Sequence, residues 1–306
     1  MVALTFNLDP ITDFQTMWSH QFMRNAFEAG TVIAVLAGVI GYFVVLRRSA
    51  FAAHAFSDMG FAGATGVVLL SLAPIEGLLA GSVLGALAIA ALGRRAFNRD
   101  VTVGIVLAFA LGLGLLFNSL YTGNITSAYS ILFGEILTIS TFSLRLTLYA
   151  GVAVLAFLAL LYRPLLFASL DEDVAEARGL PMLLIGVTFM LAVAVAVSFA
   201  VLVTGTLLIF SLMVTPSATS QYLVRRPLQS IAISVAIAVV ATWSGLFISF
   251  YTPYPVSFYI TAEVFVLYIA VRILTRALKW RVKVRPDRPL NVPSDAAPAA
   301  KGNPGV

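Results

Sequence analysis

Residues 163–181 read RPLLFASLDEDVAEARGLP, the one place where a long apolar chain is broken by a dense block of charge. Asp171, Glu172, Asp173, Glu176 and Arg178 crowd together there, with predominantly apolar segments on both sides, five before and four after. A helix of about 20 apolar residues crosses the hydrocarbon core of a bilayer, so the flanking segments are expected to be membrane helices. The charged block must then lie in water. Its own pattern predicts a short amphipathic helix, about 168–180, with Val174 and Ala177 on one face. Asp173, Glu176 and Arg178 stay wet, and Gly179-Leu180-Pro181 ends it. Such a helix suits contact with a soluble partner; the same residues would also serve as a plain solvated loop.

The composition agrees with a membrane bundle. The 306 residues are 60% hydrophobic and 11% charged, whereas soluble domains carry about 25% charged residues. The formal charge of +5 does not point to nucleic acid, because the basic residues follow the loops instead of forming a patch. The absence of cysteine excludes disulfides, thiolate metal sites and a cysteine nucleophile. The first 25 residues contain two acids and a proline and no positive n-region, unlike a cleavable signal peptide. Phe14, Met17, Trp18 and Phe22 are spaced for a helix lying in the membrane interface.

Outward from the charged block, the spans are expected at 26–46, 55–72, 77–92, 101–120 and 142–161 before it. After it come 183–203, a segment from Thr204-Gly205 to Val224, then 228–251 and 258–274. Residues 121–140, YTGNITSAYSILFGEILTIS, look like an outer loop with a short re-entrant or interfacial helix. From Thr275 the tail is basic, then rich in Pro and Ala, and is expected to be disordered beyond about Arg288. The expected fold is therefore all-α, a polytopic bundle of about nine transmembrane helices within 26–274. With the N-terminus outside and the C-terminus inside, all of the 19 basic residues except Arg24 and Arg145 fall on the cytoplasmic side. That puts the acidic block in the cytoplasm.

Ionisable groups within spans are costly and default to functional suspects. His54 and Asp58 lie four apart, hence on one helix face. An imidazole and a carboxylate so placed suit a borderline divalent cation, or a simple hydrogen-bonded pair. Glu28 and Glu263 are single acids in the first and last spans, suited to helix-end or interhelical hydrogen bonds, or to the transport route. Glu135, in the outer segment, could serve in either way. Pro216, mid-span and followed by Ser217, Thr219 and Ser220, frees a backbone carbonyl that hydroxyls can re-satisfy; broken helices often line transport routes. Gly60, Gly63, Gly66, Gly77, Gly81, Gly85, Gly104, Gly112 and Gly114 suit close helix approach. No phosphate-binding loop, H-E-x-x-H, G-x-S-x-G or dinucleotide fingerprint occurs. An enzyme active site is not supported, and ATP, if used, must be bound by another chain.

These landmarks together resemble the integral-membrane permease subunits of zinc/manganese/iron-type bacterial ABC importers. The resemblance rests on FVVLRRSAF at 43–51, HAFSDMGFAG at 54–63, LFGEIL at 132–137, FASLDEDVAEARGLP at 167–181 and VTGTLLIFSLMVTPSATSQYL at 203–223. It implies a cell-membrane permease that pairs with a second copy of itself and binds no cofactor of its own. A cytoplasmic ABC ATPase, which uses the ATP, would dock through Asp171–Gly179. A metal-binding solute-binding protein would dock outside. His54 and Asp58 would face the metal. The family's usual order is Asp then His; here it is exchanged, and Ala62-Gly63 and Pro255-Val256-Ser257 also depart from its pattern. A divergent actinobacterial branch, associated with surface-anchored repeat proteins, departs similarly. The alternatives are a permease of the same architecture for a metal chelate or other small solute, an ATP-independent secondary transporter, or a scaffold for a cell-surface assembly.

Overall fold

The computed structural model describes residues 10–91, 99–120, 132, 134 and 136–283. Among these residues the regular elements are all helices. They are α1 (Pro10–Ser19), α2 (Gln21–Leu46), α3 (Ala50–Val68), α4 (Pro74–Ala91), α5 (Arg99–Leu120), α6 (Thr141–Leu170), α7 (Glu172–Ala177), α8 (Met182–Leu223), α9 (Pro227–Tyr251) and α10 (Val256–Lys283). The short outer helix expected in 121–140 falls largely outside the described residues, as do Glu135 and the tail beyond 283.

Seven of these helices are long and apolar enough to cross a membrane: α2, α4, α5, α6, α8, α9 and α10. The chain is a polytopic helical membrane protein. Helix α3 is not among the seven, because His54, Ser57 and Asp58 dilute its apolar content. It is nonetheless enclosed: its most extensive contact is with α4, and most of its residues from Ala52 to Thr65 are buried. A Cβ placed on Gly63 would lie 2.1 Å from the Gly77 carbonyl oxygen, so the two backbones touch, as the glycine spacing predicts.

Helix α8 has 42 residues, about 63 Å at 1.5 Å per residue and roughly twice the hydrocarbon thickness. It doubles back. Phe189, near its start, packs on Phe43 with ring centroids 6.3 Å apart. Gln221, near its end, donates from Nε2 to the carbonyl of the adjacent Tyr42 at 3.1 Å. Both ends of α8 therefore meet one end of α2. The reversal is at Gly205, the single non-helical residue inside the helix (φ 78°, ψ 166°). The backbone remains helical at Pro216, so the proline is not where the helix breaks.

The bundle thus has two distinct ends. One gathers the C-terminus of α2, the N-terminus of α3, Ser169 of α6 and the two ends of α8. At the other, Asn25 donates to the Ile139 carbonyl at 3.2 Å, the His20 ring meets Phe250, and Gly134 packs on the Thr204–Gly205 turn. Helices α2 and α8 form the core, with 67% and 61% of their apolar windows buried, against 17% for α5 and α10. Phe109, Leu160 and Phe265 point outward, as expected of side chains that meet lipid.

Several boundaries differ from expectation. Helix α2 starts at Gln21, ahead of Ala26, and α10 continues past Leu274 to Lys283, since the first helix-breaking residue of the tail is Pro286. Helix α6 passes through Pro164 to Leu170, which shortens the helix after it to Glu172–Ala177. Met17, expected at the lipid interface, is fully buried against protein, while Trp18 and Phe22 are exposed.

Candidate functional site

His54 lies in the second turn of α3 and Asp58 one turn further, as the spacing of four residues requires. His54 Nε2 is 3.8 Å from Asp58 Oδ2. That is too long for a hydrogen bond, yet short enough to be bridged by an ion about 2.0–2.2 Å from each atom. The imidazole is half-buried and packs on Phe210 of the second half of α8, with ring centroids 4.6 Å apart. Its Nδ1 is buried without a hydrogen-bond partner. Asp58 is only 4% exposed. A buried imidazole nitrogen with unmet bonding capacity beside a buried carboxylate is a two-donor set suited to manganese or zinc. Among the described residues no third His, Cys, Asp or Glu joins them.

The other candidate acids stand apart from this pair. Glu28 is exposed and lines a cavity of about 550 Å³ at the Gly205 end, together with Asn25, Arg145 and Trp243. Glu263 is exposed on α10 and accepts from Ser244 Oγ of α9 at 2.5 Å. Pro216 is buried in the second half of α8. Its hydroxyl neighbours are engaged: Ser217 pairs with Ser234 Oγ at 2.8 Å, Ser220 with Ser230 Oγ at 2.9 Å, and Thr219 donates to the Thr215 carbonyl at 2.7 Å. The two serine pairs tie α8 to α9. Serines 230 and 234 were one turn apart in plain view; what the sequence could not supply was the partner helix.

The charged block forms the short helix α7. Asp171 caps it, accepting from the Val174 N–H at 3.0 Å, and Glu172 and Asp173 sit in its first turn, where carboxylates offset the helix dipole. Gly179 (φ +79°) closes it, with N–H bonds from Gly179 to Glu176 O and from Leu180 to Ala175 O, a Schellman stop. The buried face differs from expectation. Ala175 is fully buried, whereas Val174 and Ala177 are exposed, because α6 and α8 approach from the opposite side. Arg178 lies over the Phe167 ring at 5.7 Å, which fastens α7 to the end of α6. Asp171, Glu172, Asp173, Glu176 and Arg178 remain exposed, leaving a small acidic projection.

One contributor was not singled out in the sequence. Arg47 stacks over Phe189 at 5.6 Å and donates from Nη1 to Ser169 Oγ at 3.2 Å, joining α2, α6 and α8 beside the base of α7. In the sequence it reads as one of many basic residues at a span end.

Comparison with known proteins adds to this geometry. The ABC 3 transport family matches residues 19–275. The manganese transport system membrane protein MntC of Halalkalibacterium halodurans is 28% identical over 77% of this chain and 81% of its own length. The manganese import system permease protein ScaB of Streptococcus gordonii is 28% identical over 77% of this chain and 85% of its own. Among solved structures, PsaBC from Streptococcus pneumoniae in complex with Fab superposes with a TM-score of 0.80, covering 89% of this chain and 99% of that chain at 24% identity. That likeness is one of fold.

Proposed function

The chain belongs to the ABC 3 transport family, and on that premise we propose that it is the permease subunit of an ATP-driven importer, forming the route for a divalent metal cation, manganese foremost. It is a multi-pass protein of a bacterial plasma membrane. The observation that carries the cargo is the near full-length similarity to manganese permeases. The buried His54–Asp58 pair adds a donor set of the right chemistry. Two donors from each of two copies would offer four, enough to replace much of a small cation's hydration shell. Glu28, in the outer cavity, would attract the cation on entry. Glu263 and the carbonyl freed by Pro216 would be lesser contributors.

Nine crossings follow if α3 spans and α8 counts twice. The distribution of Lys and Arg then favours the N-terminus outside and the C-terminus inside. In that orientation α7, with Asp171, Glu172, Asp173, Glu176, Arg178 and Gly179, offers itself to a cytoplasmic ATPase that binds the ATP. A metal-loaded solute-binding protein would meet the Gly205 end. Closure of the ATPases would rock the two permease copies and expose the pair to each side in turn.

Reconstitution into proteoliposomes with the ATPase and binding protein tests this reading. ATP-dependent manganese uptake is expected with the wild-type chain and should be lost with His54→Ala or Asp58→Ala at equal protein content. Uptake untouched by both variants would transfer the cargo to a metal chelate, and uptake without ATP would make this a secondary transporter.

A further inference from the structure

Beside the base of α7 lies a cavity of about 220 Å³ whose walls differ in character from one side to the other. Arg47, Arg48, Ser49 and Ser169 form its polar side. Leu183, Val187 and Met190, one face of α8, form the other. The same face carries Gly186, where an added Cβ would come no closer than 4.0 Å to Arg47 Nη2. The cavity is thus a groove with a guanidinium on one side and an apolar face on the other, and Leu183 on that face is 72% exposed.

The backbone at Arg48 is unusual. Arg48 N–H bonds to Val45 O and Ser49 N–H to Val44 O, a Schellman motif that puts Arg48 at the left-handed position (φ 53°). Glycine is the residue favoured there, so an arginine is held at a conformational cost. Arg47 is held by Phe189 and Ser169, its planar fork oriented before any ligand arrives. Among the described residues the charged groups of the lining are these two guanidiniums and Glu172.

We propose that this cavity holds the phosphodiester headgroup of an anionic phospholipid, with an acyl chain laid along Leu183, Val187 and Met190. Basic pockets between membrane helices bind such headgroups. A free phosphate would have no use for the apolar stripe, and a soluble protein would not reach down a flank that faces hydrocarbon. The bound lipid would lie beside the base of α7, the helix that projects toward the ATPase. The inference rests on the membrane reading and not on the cargo, so its failure and the loss of metal uptake are separate outcomes.

Two variants probe the site while respecting the backbone. Arg48→Gly removes a charge at a position glycine prefers, and Gly186→Leu fills the groove where there is room. The full-length protein in nonionic detergent would be titrated with phosphatidylglycerol, phosphatidylcholine or inorganic phosphate, reading the midpoint of thermal unfolding and, by native mass spectrometry, the lipid retained. Phosphatidylglycerol should raise the wild-type midpoint by about 3 °C or more, with little effect from the other two. Arg48→Gly should weaken binding about five-fold, and Gly186→Leu should remove the retained lipid. Equal shifts from phosphatidylcholine, a shift from phosphate alone, or an unchanged lipid response in both variants would each overturn the proposal. So would variants that keep the lipid but lose the ATPase, since the cavity would then be a protein contact.

Discussion

His54 and Asp58 carry the metal reading, and their burial allows a functional role to be separated from a structural one. A carboxylate inside the membrane costs about 2.5–3.5 kcal/mol on insertion scales, and Asp58 has no hydrogen bond from His54 at 3.8 Å to offset it. Asp58→Asn is therefore expected to leave the thermal midpoint unchanged or raised while abolishing ATP-dependent manganese uptake. A fall in both would mark the residue as structural. Gly205 is the converse case. Its backbone (φ 78°, ψ 166°) belongs almost solely to glycine, and a side chain there costs about 1–3 kcal/mol. Gly205→Ala should lower the unfolding midpoint by several degrees, which differential scanning fluorimetry would detect. The shared face of His54 and Asp58 was legible from their spacing. The Phe210 contact and the unsatisfied Nδ1 were not, since both depend on how the far half of α8 packs against α3.

At the scale of the helix, α7 has six residues, too few to be stable alone, so its two ends and its anchor decide whether it forms. Asp171→Ala removes a cap at a cost of about 1 kcal/mol, and Gly179→Ala adds about 1 kcal/mol of left-handed strain. Together they should abolish co-purification of the ATPase while the main unfolding transition stays in place. Loss of both would mean that α7 supports the bundle itself. The acid cap and glycine stop were evident from the residues. The buried face was not, because a helix this short takes its rotation from whatever it docks against. The α3–α4 pair makes a similar point. Gly63→Leu, which drives a side chain into the Gly77 backbone, should destabilise by about 1–3 kcal/mol. Gly104→Leu, whose Cβ position has no atom of another helix within 4 Å among the described residues, should be nearly neutral, though both glycines look alike in the sequence.

For the molecule as a whole the testable quantity is sidedness. The chain has no cysteine, so Glu172→Cys introduces a single thiol on α7. A membrane-impermeant maleimide should label it in inverted vesicles and not in intact cells. Labelling from outside would reverse the orientation and remove the ATPase contact with it. The two ends of the bundle explain why one residue can report for all: the Arg47 corner, the base of α7 and both ends of α8 lie together, so their sidedness is common.

Hydropathy, charge and spacing alone were enough for the helical membrane class, the order of the segments, the short acidic helix and the shared face of His54 and Asp58, although α6 and α10 each run nine residues beyond their expected ends. All of these depend on residues near one another in the chain, where spacing translates directly into geometry. Packing was needed for the reversal of α8 at Gly205, the serine pairs between α8 and α9, the burial of Ala175 and the Arg47–Arg48 cavity. Each of these arises where distant segments meet, and in a chain this uniformly apolar many pairings bury similar surface. The choice among them falls to close backbone contacts and a few hydrogen bonds, which become visible once the helices are in place.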